Sequence, residues 1–238
     1  MSPENTVAFY SVKIKYCCSI ILSMVLIAGI DEAGRGPCVG PLVICAYMID
    51  EKNMHMLENI GAKDSKLLSP KKREDMFGLL VKAAKGYEVI EIPPSEIDAA
   101  VESETTNLNW LEAQKAAIML NKLNPDIAIV DCPSPNLKAY KDFVYTFLKK
   151  KDMELIMEHK AERHLPVAAA SIIAKVTRDK RIEEIKQTIG IDFGSGYPAD
   201  PLTKEFIHTY WKSFPDILRK SWGTYKAAAN KQNTLSNY

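Results

Sequence analysis

The stretch AGIDEAGRGPCVGPLVICA, residues 28–46, decides how this chain folds. It joins two short uncharged runs, VLIAGI (25–30) and LVICAYM (42–48), the second closing on the acidic turn Asp50-Glu51. Apolar runs of this length bounded by turn residues read as buried β-strands. Between them stand two adjacent acids, Asp31 and Glu32, and the loop Gly34-Arg35-Gly36-Pro37. A carboxylate beside an apolar strand is costly to bury as an isolated charge, and a divalent cation offsets that cost. The glycines let backbone amides approach a ligand closely, and the arginine between them offers a fork that fits a phosphate.

Working outward, IAIV (127–130) is a third buried strand, with Asp131 at its end. Two such strands side by side bring Asp31 and Asp131 to one edge of the sheet, where they can hold one or two magnesium ions. Paired metals about 3.5–4 Å apart stabilise both the attacking and the leaving oxygen in phosphodiester cleavage. A lone strand-end aspartate is more often a turn acid or a cap; the flanking acid and glycine-arginine-glycine loop argue against that here.

Strands and helices alternate through the rest of the chain. Ser69-Pro70 is an N-cap with proline at the first helical position, opening a helix to about Ala84. Residues 87–92 form a half-buried strand stopped by Pro93-Pro94, and Ser95 caps a short helix. Helices follow over 107–123 and from Pro166 to Gly190, with a strand at 155–157 between them. From about Pro201 the chain is helical and rich in aromatics and lysines. This predicts an α/β catalytic domain over 24–200 and a helical C-terminal segment over 201–238.

Fifteen residues, 16–30, carry no charge. A signal peptide is one reading, but the run is short for a membrane span, and it leads straight into acids that must stay folded. The preferred reading makes residues 1–23 an extension and Met24 a candidate start. The chain has 238 residues, 47% hydrophobic and 26% charged, with net charge +1, which argues against a nucleic-acid packaging protein and for a globular enzyme. Five cysteines with no CxxC pair, and four histidines without metal-binding spacing, argue against a disulfide framework and a zinc site. A reducing, cytoplasmic setting and an oxygen-held ion, Mg2+ or Mn2+, follow.

The stretch 28–46 resembles the signature of ribonuclease HII, the type 2 ribonuclease H. So, in the family's order, do GAKDSKLLSPKKRE (61–74), IVDCPSPN (129–136), PVAAASIIAKVTRD (166–179), GSGYPADPLT (194–203) and RKSW (219–222). The long GSGYPADP form and the helical tail resemble archaeal members. The resemblance implies a ribonuclease H-like fold, a mixed five-stranded sheet flanked by helices with a C-terminal helical extension. It implies a monomeric endonuclease that hydrolyses the RNA strand of RNA/DNA hybrids and cuts 5′ of single ribonucleotides embedded in DNA, in replication and repair. Metal-assisted attack of water would leave 5′-phosphate and 3′-hydroxyl ends.

By the same resemblance, Asp31, Glu32 and Asp131 are catalytic metal ligands of a two-metal site. Gly34, Arg35 and Gly36 contact the scissile ribonucleotide and its 2′-hydroxyl. Tyr197 stacks on the junction sugar, and Lys66 and Ser171 touch phosphates. Lys204, Lys212, Arg219, Lys220 and Lys226 hold the duplex backbone. The family's fourth acidic ligand stands ten positions before the serine of the AAS motif, and that position is Ala161. Glu162 is the favoured replacement, with Glu158 and Glu154 as further candidates; without any of them the chain would be a catalytically impaired hybrid-binding homologue. A DNA-cutting nuclease of the same fold is a second rival. The ending QNTLSNY (232–238), with Gln232, Leu235 and Tyr238, resembles a sliding-clamp-binding box.

Overall fold

The computed structural model describes residues 24–62 and 69–235. Five strands form one mixed sheet in the order β3-β2-β1-β4-β5: β1 (Leu26–Ala33), β2 (Leu42–Asp50), β3 (Gly86–Ile92), β4 (Ile127–Asp131) and β5 (Glu154–Glu158). β1, β2 and β3 are antiparallel neighbours, while β4 and β5 run parallel to β1. The helices are α1 (Met54–Ile60), α2 (Pro70–Ala83), α3 (Pro94–Val101), α4 (Leu108–Leu123), α5 (Leu137–Phe147), α6 (Leu165–Ile189), α7 (Pro201–Tyr210) and α8 (Gly223–Leu235).

Alternation along β2 shows how the sheet is covered. Leu42, Ile44, Ala46 and Met48 pack with α4 and α5, whereas Val43, Cys45, Tyr47 and Ile49 pack with α1, α2 and α6. Successive strand residues point to opposite faces, so each face receives its own helix layer. A third apolar cluster ties Cys38 and Val39 of the glycine loop to Ile182, Phe193, Phe206, Ile207 and Leu218, seating the C-terminal segment against that loop.

The N-terminus of α6 lies directly on β1. A methyl group added at Gly29 would stand 2.2 Å from the backbone of Pro166 and Val167. Glycine is therefore required by close approach. Gly29→Ala is expected to cost about 3 kcal/mol or more through this clash, lowering the thermal midpoint by roughly 6–12 °C; a melting curve checks it.

Three readings of the sequence change. β1 extends past residue 30 through both acids to Ala33, because the antiparallel partner β2 supplies hydrogen-bonding positions for them (Asp31 opposite Cys45, Glu32 opposite Ile44). Ser95 is no cap: α3 begins at Pro94, whose fixed φ suits a first helical turn, and Pro93 precedes it without a side-chain bond. Helices α1 and α5 were not anticipated, although Asn136 caps α5 through the Ala139 N–H. The Ser69 cap of α2 and the left-handed Gly190 ending α6 stand as expected, and α4 begins one residue later than read, with Asn107 as its cap through the Trp110 N–H. Among the described residues, no helix is long and apolar enough to cross a membrane. Residues 1–23 and Lys66 lie outside the described residues.

Candidate active site

The register of β1 against β4 builds the site. Ile30 pairs with Val130, so the next residue on each strand, Asp31 and Asp131, stands at the same level of the sheet. Asp31 is 8% exposed, and it receives hydrogen bonds from the Ser171 hydroxyl on α6 and from the Glu32 N–H at 2.7 Å. Burial, with smaller contributions from the charges of Asp131 and Glu162, pushes its carboxyl up to about 7. Asp131 is also raised, chiefly by burial, although the backbone N–H groups of Lys160 and Ala161 donate to it.

The Ala161 ambiguity resolves locally. Residues Ala161–Arg163 form one turn of 3-10 helix. Ala161 is fully buried against Ile27, Ile129 and Val167, whereas the Glu162 side chain hydrogen-bonds to Asp131. Glu158 is engaged elsewhere, bonded to Arg163 (2.7 Å) and His164 (2.9 Å), and Glu154 lies at the opposite end of β5. The structure thus brings together Asp31, Asp131 and Glu162.

Glu32 follows on the α4 side of β1, close to Glu112, yet at the strand's end it also borders the cleft formed with Ser171 and Lys175. Burial raises its carboxyl well above the usual range, followed by the charge of Glu112 and then that of Asp31. Among the described residues no three His, Cys, Asp or Glu side chains already stand in metal-holding geometry. The donor set nonetheless fits a hard divalent cation. These are oxygen donors only. They raise one another's proton affinity, and the Asp131–Glu162 hydrogen bond between two carboxyl groups requires a shared proton, whose place a bound cation would take.

Beside the carboxylates stands the glycine loop. Gly34 has φ +84°, and a side chain there would strike the Arg178 guanidinium, its Nε 2.1 Å away. The carbonyls of Gly34, Arg35, Gly36 and Gly40 face the RKSW segment. Arg219 donates from Nη2 to Gly34 O (2.6 Å), from Nη1 to Arg35 O (2.8 Å) and from Nε to Gly40 O (3.1 Å), and Trp222 Nε1 donates to Gly36 O (3.2 Å). A trans peptide sets its N–H opposite its C=O, so the Arg35 and Gly36 amides point away from this frame. Arg219 is therefore no duplex-holding cation: it is fully buried, because three carbonyl acceptors and the Trp222 ring, 5.1 Å away, compensate its desolvation. Arg219→Ala leaves those carbonyls without donors and is expected to cost about 3 kcal/mol or more, read as a lower urea midpoint.

Arg35 differs from expectation too. Its Nε bonds Glu112 (2.9 Å) and its Nη2 bonds Asn109 (2.6 Å), so the edge suited to a forked phosphate grip is already taken. Tyr197 is 41% exposed, lies near Gly36, and sits 5.6 Å from the Arg178 guanidinium. Glu32, Gly34, Arg73, Ser171, Lys175 and Tyr197 line a cleft of about 300 Å³. A larger hollow of about 640 Å³ along α6 shares Lys175 and Tyr197 but reaches none of the four carboxylates, whereas the smaller cleft reaches Glu32 and the Ser171 that holds Asp31, so the smaller cleft is the candidate site. Arg73 and Lys175, which share the partner Asp179, were missed from sequence; Lys175 lies one helical turn beyond Ser171. α8 ends at Leu235, and the side chains of the QNTLSNY ending lie outside the described residues.

Fold and site together define a nuclease of the ribonuclease H class. The family model described as Ribonuclease HII matches residues 28–225. The chain is 45% identical to the ribonuclease HII of Thermococcus sibiricus over 217 residues, covering 89% of this chain and 94% of that one. It is also similar to the crystal structure of ribonuclease H2 from Pyrococcus horikoshii OT3, with TM-score 0.80, 43% identity and coverage of 88% and 99%. A solved PCNA:RNase HII complex from Archaeoglobus fulgidus matches with TM-score 0.75 and 35% identity, covering 83% and 95%. The chain belongs to the ribonuclease HII family, and is thus an endoribonuclease acting on RNA/DNA hybrids.

Proposed function

We propose that this enzyme cuts on the 5′ side of a ribonucleotide embedded in duplex DNA, as well as within the RNA strand of hybrids, and leaves 5′-phosphate and 3′-hydroxyl ends. The observation that carries this reading is the placement of Asp31 and Asp131 at paired strand tips, with Glu162 reaching Asp131 from the neighbouring 3-10 turn, beside the Gly34–Arg35–Gly36 loop. The first three ligands are Asp31, Glu32 and Asp131, and Glu162 is the fourth. These residues would hold a divalent ion, Mg2+ or Mn2+, which when bound would supply Lewis-acid activation of water and charge neutralisation at the phosphate.

The chain's own groups do the rest. Ser171 fixes Asp31 by a hydrogen bond, and the Lys160 and Ala161 amides fix Asp131. The Arg35 and Gly36 amides, turned outward by Arg219, meet the ribose 2′-hydroxyl, the group that separates RNA from DNA. Tyr197 stacks on the neighbouring sugar, while Ser171 and, by the family resemblance, Lys66 would contact the phosphates. In the reaction water oxygen bonds to phosphorus, the bond from phosphorus to the 3′-oxygen breaks, and that oxygen takes up a proton. The engagement of Glu162 with Asp131 supports a cutting enzyme over an impaired hybrid-binding homologue. Lys204, Lys212, Lys220 and Lys226 hold the duplex backbone, giving salt-dependent affinity. The QNTLSNY ending docks a sliding clamp, which fits the clamp complex of the Archaeoglobus relative. The enzyme acts as a monomer in the cytoplasm.

The test is a labelled duplex containing one ribonucleotide, incubated with Mg2+, with Mn2+ or with chelator. One metal-dependent cut 5′ of the ribonucleotide is expected, with an all-DNA duplex untouched. Equal cutting of all-DNA duplex refutes the reading.

A further inference from the structure

Glu112 is 2% exposed, on the face of α4 that packs against the sheet. Both of its carboxylate oxygens lie against Arg35 Nε, at 2.9 and 3.3 Å, and Asn109, one turn earlier on the same helix, accepts from Arg35 Nη2 at 2.6 Å. A buried carboxylate facing a second one, Glu32, is an expensive arrangement. Arg35, bonded to Glu112 and acting on the charge of Glu32, offsets it only while its guanidinium stays in place. The glycine loop is therefore gripped from two sides: its carbonyls by Arg219 and Trp222, its one long side chain by α4.

We propose that Glu112, with Asn109, is a positioning residue for ribose recognition: by anchoring the Arg35 guanidinium to α4 it fixes the direction of the Arg35 and Gly36 amides. The inference rests on the reading of this loop as the part that meets the 2′-hydroxyl. Glu112 contacts no substrate; it acts through Arg35. A loop held by its carbonyls alone, without the Arg35 anchor, keeps room to rock about its glycines; it would bind phosphate as before but distinguish ribose from deoxyribose poorly.

The test measures binding by fluorescence anisotropy in an Asp31→Asn background, so that no strand is cut, with a duplex carrying one ribonucleotide and with its all-DNA counterpart. With Glu112 intact, the ribonucleotide duplex is preferred. Glu112→Gln is expected to reduce that preference about tenfold, with affinity for the all-DNA duplex unchanged. Asn109→Ala, which spares the buried carboxylate, moves it the same way by a smaller factor. Adding Glu112→Gln to Arg35→Ala has no further effect, as a residue acting only through Arg35 requires. Equal loss of affinity for both duplexes, or an additional loss in the double variant, overturns the proposal. Absence of any preference with Glu112 intact overturns the ribose-reading loop and this inference together.

Discussion

Asp31→Asn is expected to abolish cleavage, with kcat down by at least about 10³-fold, or ~4 kcal/mol of barrier, while the fold survives. Asp31 is the residue on which the site converges: Ser171 and the Glu32 amide hold it, and Asp131 and Glu162 both act on its charge. Its effect on stability has the opposite sign. A carboxyl lifted from 3.8 to about 7 binds a proton in the folded chain at pH values where the unfolded chain has lost it. In chelator, this group's contribution to stability therefore falls as pH rises from about 4 to 7. The asparagine variant lacks that loss, so its thermal midpoint at pH 7 in chelator should equal or exceed that of the parent. A variant that cuts normally, or that melts well below the parent, contradicts the assignment.

The second large effect separates two neighbouring positions. Glu162→Ala is expected to lower kcat by about 10²-fold or more, since the hydrogen-bonding partner of Asp131 disappears. Ala161→Asp, which places an acid at the family's usual spacing, is expected not to compensate. Ala161 faces Ile27, Ile129 and Val167, and an aspartate there buries a carboxylate among apolar side chains at a cost of about 2–4 kcal/mol. Kinetics and melting curves on Glu162→Ala, Ala161→Asp and the double variant decide this. If Ala161→Asp restores a Glu162→Ala enzyme, the turn does not present its side chains as described.

Much of this was legible in the sequence, because apolar runs and the acids at their tips are local signals. The β1 and β4 runs, the Ser69 cap and the Gly190 stop are set by neighbouring residues alone. What sequence does not carry is direction. Asp31 and Glu32 are adjacent, yet strand alternation sends one toward α6 and the other toward α4. Arg219 reads as one more basic residue of a lysine-rich tail until the fold supplies three carbonyls, 179 to 185 positions away along the chain, for it to hold. Glu112 had a faint local signal: an acid four residues from both Leu108 and Ala116, on the apolar stripe of α4. An acid in that position needs a buried partner, and only tertiary structure identifies it as Arg35.

The measurement that tests the central claim most directly is anomalous scattering from crystals of this protein soaked in Mn2+. Manganese density in contact with Asp31 and Asp131, with Glu162 and Glu32 at its border, is the expected result. Manganese bound only at other carboxylates, with the strand tips free of it, would contradict the account.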